Sequence, residues 1–338
     1  MKIVRIFMLV MAAVIGVVSG AFFYFVYVPE APEPTLSGAD RQHTIQSNSI
    51  TRTFSSYLPQ GLADNSALVF VLHGSNGTGD QIRKAIAYEF DILADNKGFL
   101  VVYPDGYEKH WNDCRESADY SANTQDIDDV AFFADMIAFF ADKGTIDRDR
   151  VFVTGHSNGG HMAYRLALEA PELIAAIAPI SANLPVDSNL GCKKSGRPVS
   201  VAIFAGTEDP INPFGGGMVS VMGNTSRGEV ISSIDTAYYW KNLASISQPD
   251  SVISHPEADG VESTTVTEQR WQNESGLQIR LYSLVGSGHV IPSRITRFPR
   301  VLGGDAADIS GPDEIVSFFL GLSSNKWRSQ SIDESPVR

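Results

Sequence analysis

The sequence predicts an α/β fold, a mostly parallel, doubly wound sheet with helices on both faces. Three observations carry that reading. Continuous apolar runs of strand length, residues 68–72, 99–103, 151–154 and 199–204, suit strands buried on both faces. Segments of helical spacing fall between them, which is the alternation of a parallel sheet. The runs also end abruptly at small or turn-forming residues: His73-Gly74-Ser75, Pro104-Asp105-Gly106, Gly155-His156-Ser157 and Ala205-Gly206-Thr207. Sheets of this kind bind ligands at such carboxyl strand ends.

Taken in order, residues 6–28 form a run of 23 without a charge behind Lys2 and Arg5, closing in Phe22-Phe23-Tyr24-Phe25-Val26-Tyr27. The length suits a membrane span and the aromatic end suits an interface. An uncleaved anchor with the basic end in the cytoplasm is favoured, although Val18-Ser19-Gly20-Ala21 offers a cleavage site. Residues 1–34 are therefore the anchor or signal segment with a short linker, 35–322 a single catalytic domain, and 323–338 a loose polar tail. Residues 43–58 read as one or two edge strands, 80–96 as a helix, and 127–142 as a helix with a strong apolar stripe. Further strands are expected at 174–180, 264–270 and 277–284, and helices at 231–245 and 312–320.

Composition narrows the function. The apolar fraction of 43% supports an ample core, and a net charge of −13 argues against a nucleic-acid partner. The seven histidines lack the close pairing of a zinc site, so neither metal nor cofactor is expected. In an exported, oxidising compartment Cys114 and Cys192 most simply form one disulfide, the alternative being two separate buried thiols.

The chain is organised around residues 151–163. An apolar strand runs into Gly155-His156-Ser157-Asn158-Gly159, and a helix follows. This is the Gly-x-Ser-x-Gly nucleophile elbow, whose tight turn pushes a serine Oγ out of the sheet and needs neighbours without bulk. A serine hydroxyl is a poor nucleophile unless an imidazole takes its proton and a carboxylate orients that imidazole. Asp209 and His289 each follow a later strand and fall in the order Ser, Asp, His. Glu208 and Asp235 are weaker candidates for the acid, and His255 for the base. The oxyanion would be met by the backbone N–H groups of Asn158 and of Ser75, behind His73-Gly74.

These motifs resemble the polyhydroxybutyrate-depolymerase-like esterases, a family of α/β-hydrolase fold that shares its pattern with feruloyl and acetylxylan esterases. The resemblance lies in Leu72-His73-Gly74, Tyr103-Pro104-Asp105-Gly106, Trp111-Asn112-Asp113, Asp128-Asp129-Val130, Gly155-His156-Ser157-Asn158-Gly159-Gly160, Gly206-Thr207-Glu208-Asp209-Pro210 and Gly288-His289. It implies the same triad, Ser157, Asp209 and His289, in a serine carboxylesterase acting on hydroxybutyrate oligomers, feruloyl or acetyl esters. The alternatives are a peptidase on this fold and a non-catalytic binding protein of the cell envelope. Where the family commonly has Thr-Trp-Pro-Gly after its histidine, this chain has Val290-Ile291-Pro292-Ser293. Trp111 is then a candidate to line the substrate site, or a core tryptophan. Small or oligomeric soluble esters are expected, hydrolysed on the exported side of a membrane by an anchored enzyme, or a secreted one if the segment is cleaved.

Overall fold

A computed structural model describes residues 2–247, 251–256 and 264–322. Its elements are α1 (Lys2–Phe25), β1 (Ala39–Ser47), β2 (Ile50–Leu58), β3 (Ser66–Leu72), α2 (Gly79–Ala85), α3 (Glu89–Lys97), β4 (Phe99–Pro104), α4 (Ser121–Thr124) and α5 (Asp129–Ala141). There follow β5 (Ile146–His156), α6 (Asn158–Glu169), β6 (Ala176–Ile180), β7 (Ser200–Gly206), β8 (Gly217–Met218), β9 (Glu229–Val230) and α7 (Ser233–Leu243). The described chain closes with β10 (Ser251–His255), β11 (Thr265–Gln272), β12 (Gln278–Val285) and α8 (Gly311–Gly321).

Ten strands make one sheet in the order β1-β2-β4-β3-β5-β6-β7-β12-β11-β10. The six from β4 to β12 run parallel, and antiparallel pairs close both edges. The pleat explains how one strand serves two cores. Leu68, Phe70 and Leu72 point to the face covered by α5, α6 and α7, while Ala67, Val69 and Val71 point to the face covered by α2, α3 and α8. The α/β-hydrolase arrangement expected from the sequence is the one found.

Some elements differ from expectation. Residues 80–96 are two helices, α2 and α3, separated by Ala87 and Tyr88 with φ of 49° and 58°. The break lets Ile82 and Ile86 pack on the sheet and re-aims Phe90 and Ala94 at the same core. No glycine or proline marks it. Strand β10 and the small β8–β9 pair were also not expected; β10 is a half-exposed edge strand without an apolar run.

Helix α1 is long and apolar enough to cross a membrane: Phe7–Phe25 has a mean hydropathy of 2.2 and contributes nothing to either core. The segment after it is pinned rather than loose. The Ser37 N–H and hydroxyl both donate to Asp95, and the Gly38 N–H donates to the Tyr57 hydroxyl. The expected polar tail, 323–338, lies outside the described residues.

Candidate active site

Ser157 sits between β5 and α6 with φ 55° and ψ −118°, a sparsely populated conformation for any residue but glycine. Its N–H donates to the Ile180 carbonyl at 2.8 Å, which ties the turn to β6. Bulk is excluded on both sides. A Cβ on Gly155 would lie 2.5 Å from the Gly159 carbonyl, and one on Gly159 would lie 2.7 Å from the carbonyl oxygens of Leu72 and His73. The two elbow glycines are therefore steric requirements of the helix crossing close over the sheet.

Asp209 follows β7 and His289 follows β12, and these strands are parallel neighbours. The structure brings the two side chains together: His289 Nδ1 lies 2.7 Å from Asp209 Oδ2, both residues being buried. Because a carboxylate only accepts, Nδ1 carries the proton and Nε2 is the ring's basic nitrogen. The other Asp209 oxygen accepts from the N–H groups of Ile211 and Asn212 at 2.8 Å each. Gly288 makes the approach feasible, since any Cβ there would collide with the Leu302 carbonyl to which this loop is hydrogen-bonded.

Ser157 stands at the same edge of the sheet, on β5. Its neighbour His156 has its ring 4.8 Å from that of His289. No hydrogen bond joins the Ser157 hydroxyl to His289 among the described residues, and catalytic contacts often tighten only with substrate bound. Glu208 is exposed, Asp235 accepts the hydroxyl of Ser232, the N-cap of α7, and His255 pairs with Glu268, so none of the weaker candidates is seen to bond His289.

On the other flank, the loop after β3 touches the serine. A Cβ on Gly74 would lie 3.4 Å from the Ser157 Cβ. The N–H groups of Ser75 and Asn158 carry no hydrogen bond to the protein among the described residues, and that of Asn158 is the open first donor of α6. The loop is held by His73, whose Nδ1 donates to the Gly74 carbonyl at 2.7 Å while Nε2 accepts from the Gly106 N–H at 2.9 Å. That tautomer is neutral, and burial pushes the imidazole down to about 4.

Trp111 corrects an expectation. It is fully buried, so it does not line a substrate site. Its Nε1 donates to the His73 carbonyl at 2.9 Å and its ring packs on His73 and Phe133. It fixes the loop from beneath. Nor does the segment after His289 offer a stacking face, because Val290 and Ile291 are buried and the Ser293 hydroxyl donates to Glu89.

Sequence reasoning missed a buried polar cluster under the elbow. The Asn158 Nδ2 donates to Asp113 at 2.6 Å, and its Oδ1 accepts the Trp111 N–H at 2.8 Å. Asp113 in turn accepts the backbone N–H, the Nε and the Nη2 of Arg115, and the Tyr120 hydroxyl at 2.6 Å. Burial alone would raise the Asp113 carboxyl, but the Arg115 guanidinium outweighs it and holds the group well below the usual carboxylate range. Asp129, beside the helix cap Asp128, receives Arg52 at 2.7 Å and the Asn112 N–H at 2.8 Å. The signal was present in Trp111-Asn112-Asp113 and Asp128-Asp129; what it encodes is scaffold. A Cys114–Cys192 disulfide with Cα atoms 5.0 Å apart ties this loop to the segment after α6, so the two thiols are paired. Among the described residues no group of three His, Cys, Asp or Glu side chains converges to hold a metal.

A serine held at positive φ between strand and helix, with an Asp–His pair after the strands two and three places along the same parallel sheet, is the arrangement of the α/β-hydrolase fold. Residues 52–187 match the family described as Esterase PHB depolymerase, the family that the motifs implied. The chain is 26% identical over 266 residues to NocK of Nocardia uniformis subsp. tsuyamanensis, named as a candidate esterase, covering 77% of this chain and 76% of that protein. It is 26% identical over 220 residues to acetylxylan esterase A of Aspergillus oryzae, covering 64% of this chain and 62% of that one. Among solved structures, the acetyl xylan esterase from Aspergillus awamori is 20% identical with a TM-score of 0.49, covering 75% of this chain and 95% of that one. The matched family and the relatives named here are esterases.

Proposed function

We propose that the chain is a serine carboxylesterase working through an acyl-enzyme, and the observation that carries this reading is the buried His289–Asp209 contact at the edge of the sheet where a positive-φ turn carries the half-buried Ser157. Ser157 Oγ attacks the ester carbonyl while His289 Nε2 takes its proton; Asp209 holds the imidazole and balances its charge. The tetrahedral oxygen is met by the open N–H groups of Ser75 and Asn158. His289 then returns the proton to the leaving alcohol, and water, deprotonated by the same nitrogen, releases the acid. No step requires a cofactor. The family resemblance supports hydroxybutyrate oligomers and feruloyl or acetyl esters as substrates, and the names of the relatives favour the acetyl group on a sugar. The disulfide and the apolar α1 support an enzyme on the exported side of a membrane, anchored by residues 6–28.

The test is a fluorophosphonate probe together with a panel of chromogenic esters. Labelling at Ser157, and turnover that falls by at least about 10³-fold in a folded Ser157→Ala variant, is expected. A folded wild-type chain that neither labels nor hydrolyses any ester overturns the reading in favour of a binding protein. Cleavage of peptides in preference to esters overturns it in favour of a peptidase.

A further inference from the structure

Arg227 is a buried cation without a counterion. It lies in the turn between β8 and β9, is 8% exposed, and its Nη1 has no hydrogen-bond partner among the described residues. The two carboxylates that act on it, Asp119 and Asp113, are committed to the Ser226 hydroxyl and to Arg115. Burial, and after it the Arg115 charge, lowers the pKa of Arg227, so its surroundings disfavour a lone cation. In a chain of net charge −13, an arginine buried near a second arginine and left unpaired calls for an anion from outside.

Its contacts join it to both flanks of Ser157. The guanidinium stands 5.9 Å from the centre of the Tyr120 ring, and the Tyr120 hydroxyl accepts from Asn158 Nδ2 at 3.2 Å, one residue from the nucleophile. His110 stacks on the same ring, and the Asn76 N–H ties the His110 loop to that of Ser75 through the Lys109 carbonyl. On the acid–base side, the Val219 N–H donates to the Gly228 carbonyl and the Ser220 N–H to the Ile211 carbonyl, which fastens the Arg227 turn to the Asp209 loop. Two more buried polar groups in this region lack a partner. One is Nδ1 of His161, a turn along α6 from Ser157 and within electrostatic reach of both Arg227 and His289. The other is the side-chain amide of Asn212, whose backbone N–H holds Asp209. Buried polar atoms in folded proteins are almost always hydrogen-bonded, so three orphans on the elements around one serine suit a polar substrate group.

We propose that Arg227 binds a carboxylate carried by the substrate, so that the enzyme prefers small acidic esters to neutral ones of the same size. The proposal rests on the esterase reading and narrows its substrate class. The ester is short, with a carboxylate on its acyl or its alcohol part, as at the acid end of a hydroxy-acid oligomer or on a uronic-acid sugar. A planar guanidinium meets a carboxylate through two parallel N–H···O bonds, which fixes orientation as well as adding affinity. Anchored there, the ester is held in one pose toward Ser157. Arg227 lies beyond residues 52–187, so the family match does not assign it a role.

The experiment uses the full chain and two acidic esters, mono-4-nitrophenyl glutarate and 3-acetoxybutyrate, each compared with the primary amide of its carboxylate. The first carries the charge on the acyl side and the second on the alcohol side. For at least one pair, kcat/KM of the acid is expected to exceed that of the amide by about tenfold or more, mainly through KM. The pair that shows the preference identifies the side. Arg227→Gln should bring the ratio to about one. Arg227→Lys, which keeps the charge and loses the two-bond fork, should lower it by about threefold or more, and it serves if the glutamine variant does not fold. A wild-type ratio near or below one for both pairs overturns the proposal, as does a ratio that neither variant moves. A readout independent of turnover is the melting temperature of Ser157→Ala, which glutarate should raise by a few degrees and which should not move once Arg227→Gln or Arg227→Lys is added. No rise with glutarate overturns the proposal. Failure of the esterase reading is recognised separately, by acid and amide esters that are both left intact or whose hydrolysis survives Ser157→Ala.

Discussion

The two flanks of Ser157 are built on opposite principles. On the acid–base side, Asp209 and His289 meet through a single side-chain hydrogen bond, and the neighbouring His156 leaves its Nε2 without a partner. On the oxyanion side, Asn158, Asp113, Arg115 and Tyr120 form a closed network in which Asp113 and Arg115 satisfy each other under the surface. One side must let a proton move and is sparsely bonded. The other must hold backbone N–H groups still and is densely bonded.

If the contrast is right, changes on the two sides break different properties. The largest effect belongs to the acid–base side. Asp209→Asn keeps the shape but favours the wrong tautomer of His289, and kcat is expected to fall roughly 10³–10⁴-fold with thermal unfolding little changed. Steady-state kinetics beside calorimetry checks it, and equal loss of stability and activity would erase the distinction. On the other side, Asp113→Asn leaves the Arg115 charge buried without its counterion. Stability is expected to drop by about 3–5 kcal/mol, read by urea unfolding, with a much smaller loss of kcat in the folded fraction.

A pH effect spread over two histidines sharpens the comparison, because it touches both flanks. Burial pushes His73 down to about 4, and burial followed by the neighbouring His289 pushes His156 down to about 3. Unfolded histidines take up protons near pH 6.5, so between pH 6.5 and 4 the unfolded chain binds more protons than the folded one. Stability is therefore present above pH 6.5 and declines as pH falls toward 4, by about 3 kcal/mol for each of these histidines at most. Urea midpoints measured from pH 7.5 to 4.5 should fall steadily, and His156→Gln should flatten the slope.

What the sequence disclosed depended on how local the cause was. The strands were legible because burial on both faces demands continuous apolar runs, and the Asp209–His289 pair because both residues sit where such a run stops. The α2–α3 break was not, because it rests on Ala87 and Tyr88 held in left-handed conformations by tertiary packing. Trp111 stayed open between two readings for a similar reason. A tryptophan in a polar loop looks like a platform for substrate, and only the acceptor for its indole N–H, the His73 carbonyl far away in sequence, reveals a buried prop. Asp113, Arg115 and Tyr120 carry no local mark of burial, because the Asn158 amide that closes on them lies far along the chain.

The glycine at the close approach of the His289 loop has a consequence for how the enzyme comes to life. The residues that hold the Ser157 turn and the loop of Ser75 lie before Cys192, whereas Asp209 and His289 come later in the chain, and the His289 loop can pack against the Leu302 carbonyl only because residue 288 has no side chain. A chain made only as far as Cys192 would hold the residues around Ser157 yet lack the Asp209–His289 pair. Hydrolytic power would be the last property acquired, after the part of the molecule nearest the membrane is already in place.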